Sequence, residues 1–181
     1  GAFMKNKLGG IGGMGPEATC YFYEEIIAHT KVKTDQDHID MVIFNHASMP
    51  DRTKAIESGD QKDIIENLTT DAKTLESLGV ANIAIPCNTS HYFFDRVQKE
   101  INIPIIHMIK ESVDYAISNF PQVKKIGIMA TDGTIDAGLY HRECKNRGIT
   151  PVAPSKERQA DVMSLIYDDI KQGKKGDRKK F

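Results

Sequence analysis

Residues 80–91 read Val-Ala-Asn-Ile-Ala-Ile-Pro-Cys-Asn-Thr-Ser-His, and this stretch decides the fold. Val80 to Ile85 is a short apolar run with β-branched side chains, the composition of a buried strand. Pro86 has no N–H to give to a ladder and stops it. Cys87, Asn88 and Thr89 then occupy a tight turn. Thr89 or Ser90 is placed to cap a helix over His91–Glu100, because Phe93, Phe94, Val97 and Ile101 recur three or four apart. Cys87 thus stands between the carboxyl end of a strand and the amino end of a helix, the edge where open α/β sheets bind ligands. A helix N-terminus favours negative charge, so the position favours a thiolate. The competing reading is a small buried hydrophobe, the commonest state of a cysteine outside disulfides.

The same strand–turn–helix order surrounds this stretch on both sides. Lys7–Ile11 is a short strand, Gly12-Gly13-Met14-Gly15-Pro16 a glycine-rich turn, and a helix runs from about Glu17 to Thr30. Pro16 suits the first helical position, where its missing N–H costs nothing. Such a turn brings backbone N–H groups close to an anion. It lacks the GxGxxG spacing with an acidic ribose partner, and the GK[ST] of a P-loop. A carboxylate site and a plain tight turn both fit it. After a polar loop over Lys31–Asp40, Met41–His46 is a second strand, apolar throughout and so covered on both faces. Arg52 follows its carboxyl end. A guanidinium there is a bidentate partner for a carboxylate, or a solvated or capping residue.

Lys62–Leu78 is an amphipathic helix whose Ile64, Ile65, Leu68, Ala72, Leu75 and Leu78 form one core-facing stripe, ended by Gly79. Beyond the central stretch, Ile103–His107 is a fourth strand and Ile109–Phe120 a helix. The strict β-then-α order predicts a doubly wound parallel sheet. A second unit then restarts the pattern. Lys125–Ala130 is a strand, Thr131–Thr134 a turn, and a helix spans about Ile135–Arg147, closed by Gly148. Thr150–Ala153 is a short strand. Ala160–Gln172 is a helix with Val162, Leu165, Ile166 and Ile170 inward. Tyr167 and Lys171, one turn apart, share a face, as two solvated side chains also would. Residues 173–181 are a basic tail, a solvated linker or the start of another helix. The restart hints at two similar α/β halves.

Composition narrows the function. Of 181 residues, 24 are Lys or Arg and 25 Asp or Glu, a formal net charge of −1, so no charge excess points to nucleic acid or a membrane surface. No apolar run approaches the roughly 20 residues of a membrane helix, and the front of the chain carries no secretory signal. Gly1-Ala2-Phe3 before Met4 reads as an expression scar. Three widely spaced cysteines, Cys20, Cys87 and Cys144, suit a reducing cytoplasm better than a disulfide framework, and none has metal-ligand spacing to another.

Taken together, GGMGPEAT (12–19), PDRT (50–53), PCNTSH (86–91) and GIMATDGTIDAGLYH (127–141) resemble the aspartate racemase branch of the aspartate/glutamate racemase superfamily, in order and over nearly the whole chain. The resemblance implies an α/β protein of two pseudo-symmetric, doubly wound parallel-sheet domains, here 4–102 and an incomplete 103–181. It implies an active site in the cleft between them and usually a homodimer. It also implies an amino-acid racemase that needs neither cofactor nor metal, acting on a small amino acid or dicarboxylate. One thiolate removes the α-proton and a thiol on the opposite face returns one.

By this match Cys87 is the first thiol, Asn88 and Thr89 bind the substrate's polar groups, Met14 lines the pocket, and Thr131 lies at the same cleft. Arg52 holds a carboxylate. Tyr167 and Lys171 occupy the family's Tyr and Lys positions, with Lys171 on a carboxylate. Two cations favour an acidic substrate. The second thiol of the family lies in a GCTE-like motif after the helix at 160–172. Residues 1–181 contain no such motif, and Cys144 cannot replace it from mid-helix. The expectation is a gene product that continues beyond Phe181. A one-thiol isomerase or decarboxylase of the same superfamily, or an inactive carboxylate-binding form, are the alternatives.

Overall fold

The computed structural model describes residues 7–181. Gly1-Ala2-Phe3, expected to be a scar, and the expected domain start at Met4 lie outside the described residues. The chain divides into two compact units that interleave along the sequence. The first holds the described residues up to Pro50, Gln61–Cys87 and Phe93–Ile106; the second holds Asp51–Asp60, Asn88–Tyr92 and His107–Phe181.

The first unit is built on strands β1 (Leu8–Gly12), β2 (Met41–Asn45) and β3 (Asn82–Ala84), in the order β2-β1-β3 and all parallel. The register pairs Gly12 with Asn45 and Gly10 with Ala84. The expected fourth strand shrinks to one parallel bridge, Ile105 to Ile83, with Ile106 N–H on the Ile83 carbonyl at 2.8 Å. Pro104 explains this, since it has no N–H to extend the ladder. Helix α1 spans Pro16–His29 and helix α3 spans Lys62–Ser77. Ile64, Leu68, Ala72 and Leu75 of α3 are buried as the stripe requires, but Leu78 is 46% exposed. It lies past the last turn, where Gly79 reverses the chain at φ 82° and Lys7 Nζ donates to the Leu78 carbonyl at 3.1 Å.

The glycine turn after β1 is locked by one side chain. The buried Thr19 Oγ1 accepts from Gly13 N–H at 2.8 Å and donates to the Gly15 carbonyl at 3.1 Å. Gly13 has φ 95°, and a Cβ on it would come within 2.4 Å of the His46 backbone. Only glycine fits there, because the end of β2 passes directly over the turn.

The second unit contains α2 (Arg52–Ser58), α5 (Met108–Asn119), α6 (Asp132–Asp136), α7 (Leu139–Asn146) and α8 (Lys156–Ser164). Its sheet is the parallel pair β4 (Lys125–Gly127) and β5 (Thr150–Val152). Val113, Cys144 and Ile149 form its core under Ile117, Val123, Ile126 and Tyr140. Arg147 ties α7 to α5, with Nε on Asp114 at 2.5 Å and a guanidinium N–H on Glu143 at 2.7 Å. That bond holds the Asp114 carboxyl below its usual range.

The helix expected over 135–147 is two helices, split by Gly138 at φ 65°. The helix expected over 160–172 starts four residues earlier, where Ser155 caps it, and changes to a π turn over Leu165–Asp169 and a 3-10 turn over Ile170–Gln172. The wider turn moves the inward face, so Asp169 is buried and Ile170 is 43% exposed. The basic tail folds back on Asp169, whose carboxylate accepts Asp177 N–H at 2.9 Å and Lys180 Nζ at 2.8 Å.

Two outcomes follow from these contacts. Thr19→Val keeps the shape but leaves the buried Gly13 N–H unpaired, which costs about 1–3 kcal/mol; urea unfolding of the variant measures it, and an unchanged midpoint would refute the lock. The Lys180 bond, then the Asp177 N–H, lower the Asp169 pKa below 3.8. A carboxyl depressed in the folded state contributes stability above its unfolded pKa and loses it as pH falls through the folded value. Melting temperature should therefore drop more steeply for the parent than for Asp169→Asn as pH falls below the ordinary carboxylate range, and parallel curves would remove Asp169 from the account.

Candidate functional site

In the first unit, parallel pairing brings the carboxyl ends of β1, β2 and β3 to one edge. The Met14 turn follows β1, His46 follows β2, and Ile85-Pro86-Cys87 follows β3. Cys87 N–H donates to the Ile85 carbonyl at 2.7 Å, a three-residue turn about Pro86 that ends the strand and re-aims the chain. Cys87 is buried at 9% exposure and Met14 at 3%. His46 Nδ1 lies 2.6 Å from Asp71 Oδ2, which fixes the imidazole beside the same edge.

The expected helix over 91–100 is replaced by a 3-10 stretch, Thr89–Phe93, and the five-residue α4, Phe94–Gln98. The hydrogen bonds of a 3-10 turn align poorly, so the helix-dipole argument for a thiolate at Cys87 loses most of its force. Thr89 does not cap a helix. Its hydroxyl, in a side chain only 4% exposed, lies 2.6 Å from Thr131 Oγ1 and 2.9 Å from Thr134 Oγ1.

Apart from Met14 and Cys87, the expected site residues belong to the second unit. Asn88 accepts a short hydrogen bond from the Tyr140 hydroxyl. Burial, partly offset by a bond with Ser112, raises the Tyr140 pKa and keeps it a donor. Thr131 caps α6 by accepting Thr134 N–H at 3.3 Å. Arg52 is buried at the first turn of α2, a helix capped by Asp51, whose carboxylate accepts Lys54 N–H at 2.9 Å.

Tyr167 reaches the same cap, its hydroxyl 3.4 Å from Asp51 Oδ2. Burial raises the Tyr167 pKa, against a lowering contribution from Thr53, so the phenol stays protonated at neutral pH. The buried Thr53 Oγ1 faces that phenol without forming a well-aligned hydrogen bond. Lys171 Nζ lies 5.6 Å from the centre of the Tyr167 ring, a cation–π contact that survives the π turn between them. A groove of 840 Å³ beside Tyr167 is lined by Asp132, Asp136 and Asp168 against Lys156, and so disfavours a dicarboxylate.

Sequence reasoning missed Asp51, Thr53, Thr134 and Tyr140 as parts of this site. The Thr131-x-x-Thr134 spacing was a readable N-cap signal. Tyr140 carried none, because its partner Asn88 is 52 residues away.

Among the described residues no cysteine is in a disulfide, and no helix is long and apolar enough to cross a membrane. The Asp/Glu/hydantoin racemase family model matches residues 11–180. The broad-specificity amino-acid racemase RacX of Bacillus subtilis is 29% identical over 170 residues, covering 91% of this chain and 71% of that protein. The Picrophilus torridus aspartate racemase superposes with a TM-score of 0.78 at 30% identity, covering 90% of this chain and 67% of that one. An aspartate racemase homologue from Pyrococcus horikoshii gives 0.73 at 28% identity, with 94% and 74% covered. With the parallel α/β units and the ordered motifs at their strand ends, these matches show that the chain belongs to the Asp/Glu/hydantoin racemase family.

Proposed function

We propose that this chain belongs to a cofactor-independent racemase of aspartate or a similar acidic amino acid, working by a two-base cysteine mechanism with Cys87 as one base. The observation that carries the reading is the placement of Cys87 at the end of β3, on the edge it shares with the Met14 turn, in a chain matched by the family over residues 11–180. Support for the substrate class comes from the aspartate racemases and the broad-specificity amino-acid racemase among its relatives.

In the proposed reaction the Cys87 thiolate takes the proton from Cα, and the C–H electron pair remains on the substrate as a carbanion. A thiol on the opposite face donates a proton to Cα. The product is the other enantiomer, with the two sulfurs exchanged in protonation state. That second thiol belongs to the GCTE-like motif of the family pattern, which residues 1–181 do not include. Arg52 and Lys171 are proposed to hold the two carboxylates, because paired cations offset the charge of a dicarboxylate. Asn88, Thr89 and Tyr167 are proposed to complete the substrate's hydrogen bonds, with Thr131 beside them holding the Thr89 hydroxyl and Met14 lining the pocket. Along the chain, the proposed domains are 4–102 and 103–181, as the family resemblance implies. A cytoplasmic homodimer completes the proposal.

Deuterium uptake into aspartate tests the base directly. Cys87→Ser should slow α-proton exchange by about 10²–10⁴-fold, and unchanged exchange would overturn the assignment. Exchange into one enantiomer without inversion would favour the one-thiol alternative.

Thiol labelling tests the site without turnover. Aspartate should protect Cys87 from iodoacetamide and leave the exposed Cys20 unaffected. Cys144 should react slowly, since burial pushes its thiol up against a lowering contribution from Arg147. Equal sensitivity of Cys20 and Cys87 to aspartate would remove the substrate from the reading.

A further inference from the structure

Thr89, Thr131 and Thr134 form a closed triangle of hydroxyls within the second unit. Thr89 Oγ1 lies 2.6 Å from Thr131 Oγ1 and 2.9 Å from Thr134 Oγ1, and Thr131 Oγ1 donates to Thr134 Oγ1 at 3.2 Å. Each hydroxyl has one proton, so three protons serve three contacts. With Thr131 donating to Thr134, the circle closes in one direction: Thr134 donates to Thr89, and Thr89 donates to Thr131. The Thr134 N–H adds a second donor to Thr131 Oγ1 at 3.3 Å. Every proton of the triangle is committed.

Thr134 is fully buried, at 0% exposure. The neighbouring Gly133 shows how tightly this corner is packed. A Cβ on it would come within 2.9 Å of Thr53 Oγ1 and 3.1 Å of Thr89 Cγ2, so α2, the segment 88–92 and α6 meet there without spare volume.

We propose that Thr134 is a positioning residue that sets the hydroxyl direction of Thr89 and Thr131 and clamps the segment Asn88–Tyr92 directly after Cys87. It acts through the other two hydroxyls, because its own side chain is sealed from solvent. The ligand-facing half of the proposal rests on the function proposed above; the clamp itself does not.

The test compares Thr134→Val, which keeps the shape and removes the hydroxyl, with Thr134→Ser, which keeps the hydroxyl. One measurement is amide hydrogen exchange at His91, whose N–H is bonded to the Asn88 carbonyl at 3.0 Å, referenced to amides of α3 to remove any global change. The other is the aspartate concentration that half-protects Cys87 from iodoacetamide.

The expected result for Thr134→Val is a roughly tenfold faster His91 exchange and a roughly tenfold higher half-protecting concentration, the scale of one lost buried hydrogen bond. Thr134→Ser should stay within about twofold of the parent on both. If Thr134→Val does not fold, Thr134→Ala is read against Thr134→Ser in its place. Parent-like exchange in the hydroxyl-free variant, or equal shifts in it and Thr134→Ser, would overturn the clamp. Faster exchange with an unmoved protection midpoint would overturn the role toward ligand. Absence of protection in the parent would instead count against the proposed function, while the exchange comparison still decides the clamp.

Discussion

Parallel pairing of β1 with both of its neighbours is the constraint on which the first unit depends. A parallel ladder sends all three chains out at one edge, so the glycine turn, His46 and Cys87 are neighbours because their strands are. Gly12 and Gly13 then serve the ladder rather than a phosphate. A Cβ on Gly12 would lie 2.4 Å from Thr19, and one on Gly13 would strike the His46 backbone. The turn is packed from two sides, with its Gly13 N–H already taken by Thr19. An anion cradle of the dinucleotide type needs such N–H groups outward. The glycines are here because strands and helix approach closely.

The fold was legible where apolar spacing and glycine placement carried it. The α3 stripe up to Leu75 and Gly79 read correctly because burial on one face imposes a period that sequence displays, and the strands at 41–45 and 82–84 were found as short apolar runs, although Met41–Phe44 are half-buried rather than covered on both faces. Three kinds of feature were not legible. The short helix α2 escaped because its seven residues do not complete a stripe, and the helix expected over 91–100 is shortened to the five residues of α4. Changes of helical pitch escaped because nothing in residues 160–172 distinguishes a π turn from an α turn until Asp169 is anchored by the tail. Partners distant in sequence escaped altogether. Thr89 reads as a cap by local rules, yet its hydroxyl is taken by Thr131 and Thr134, more than forty residues on. For the candidate site, Cys87, Asn88, Thr131 and Arg52 were readable as residues at turns after strands; what each hydroxyl or amide would bond was not.

The charge pattern of the second unit bears on how an acidic substrate would be selected. The open groove beside Tyr167 carries three aspartates against one lysine, so its field repels a dicarboxylate instead of gathering it. Exposed charges of that kind are screened within about 8–10 Å at physiological salt. Arg52 differs in being buried, and a guanidinium out of water interacts more strongly with a carboxylate than a solvated one does. Lys171 is held over the Tyr167 ring instead of extending into solvent, which lowers the entropy cost of using it. Under the proposed function, preference for an acidic side chain would then come from two restrained cations at short range, and long-range steering would contribute little. A substrate whose second carboxylate is replaced by a neutral group would lose its own ion pair with one of those cations, and the loss would appear in binding before any proton moves at Cα.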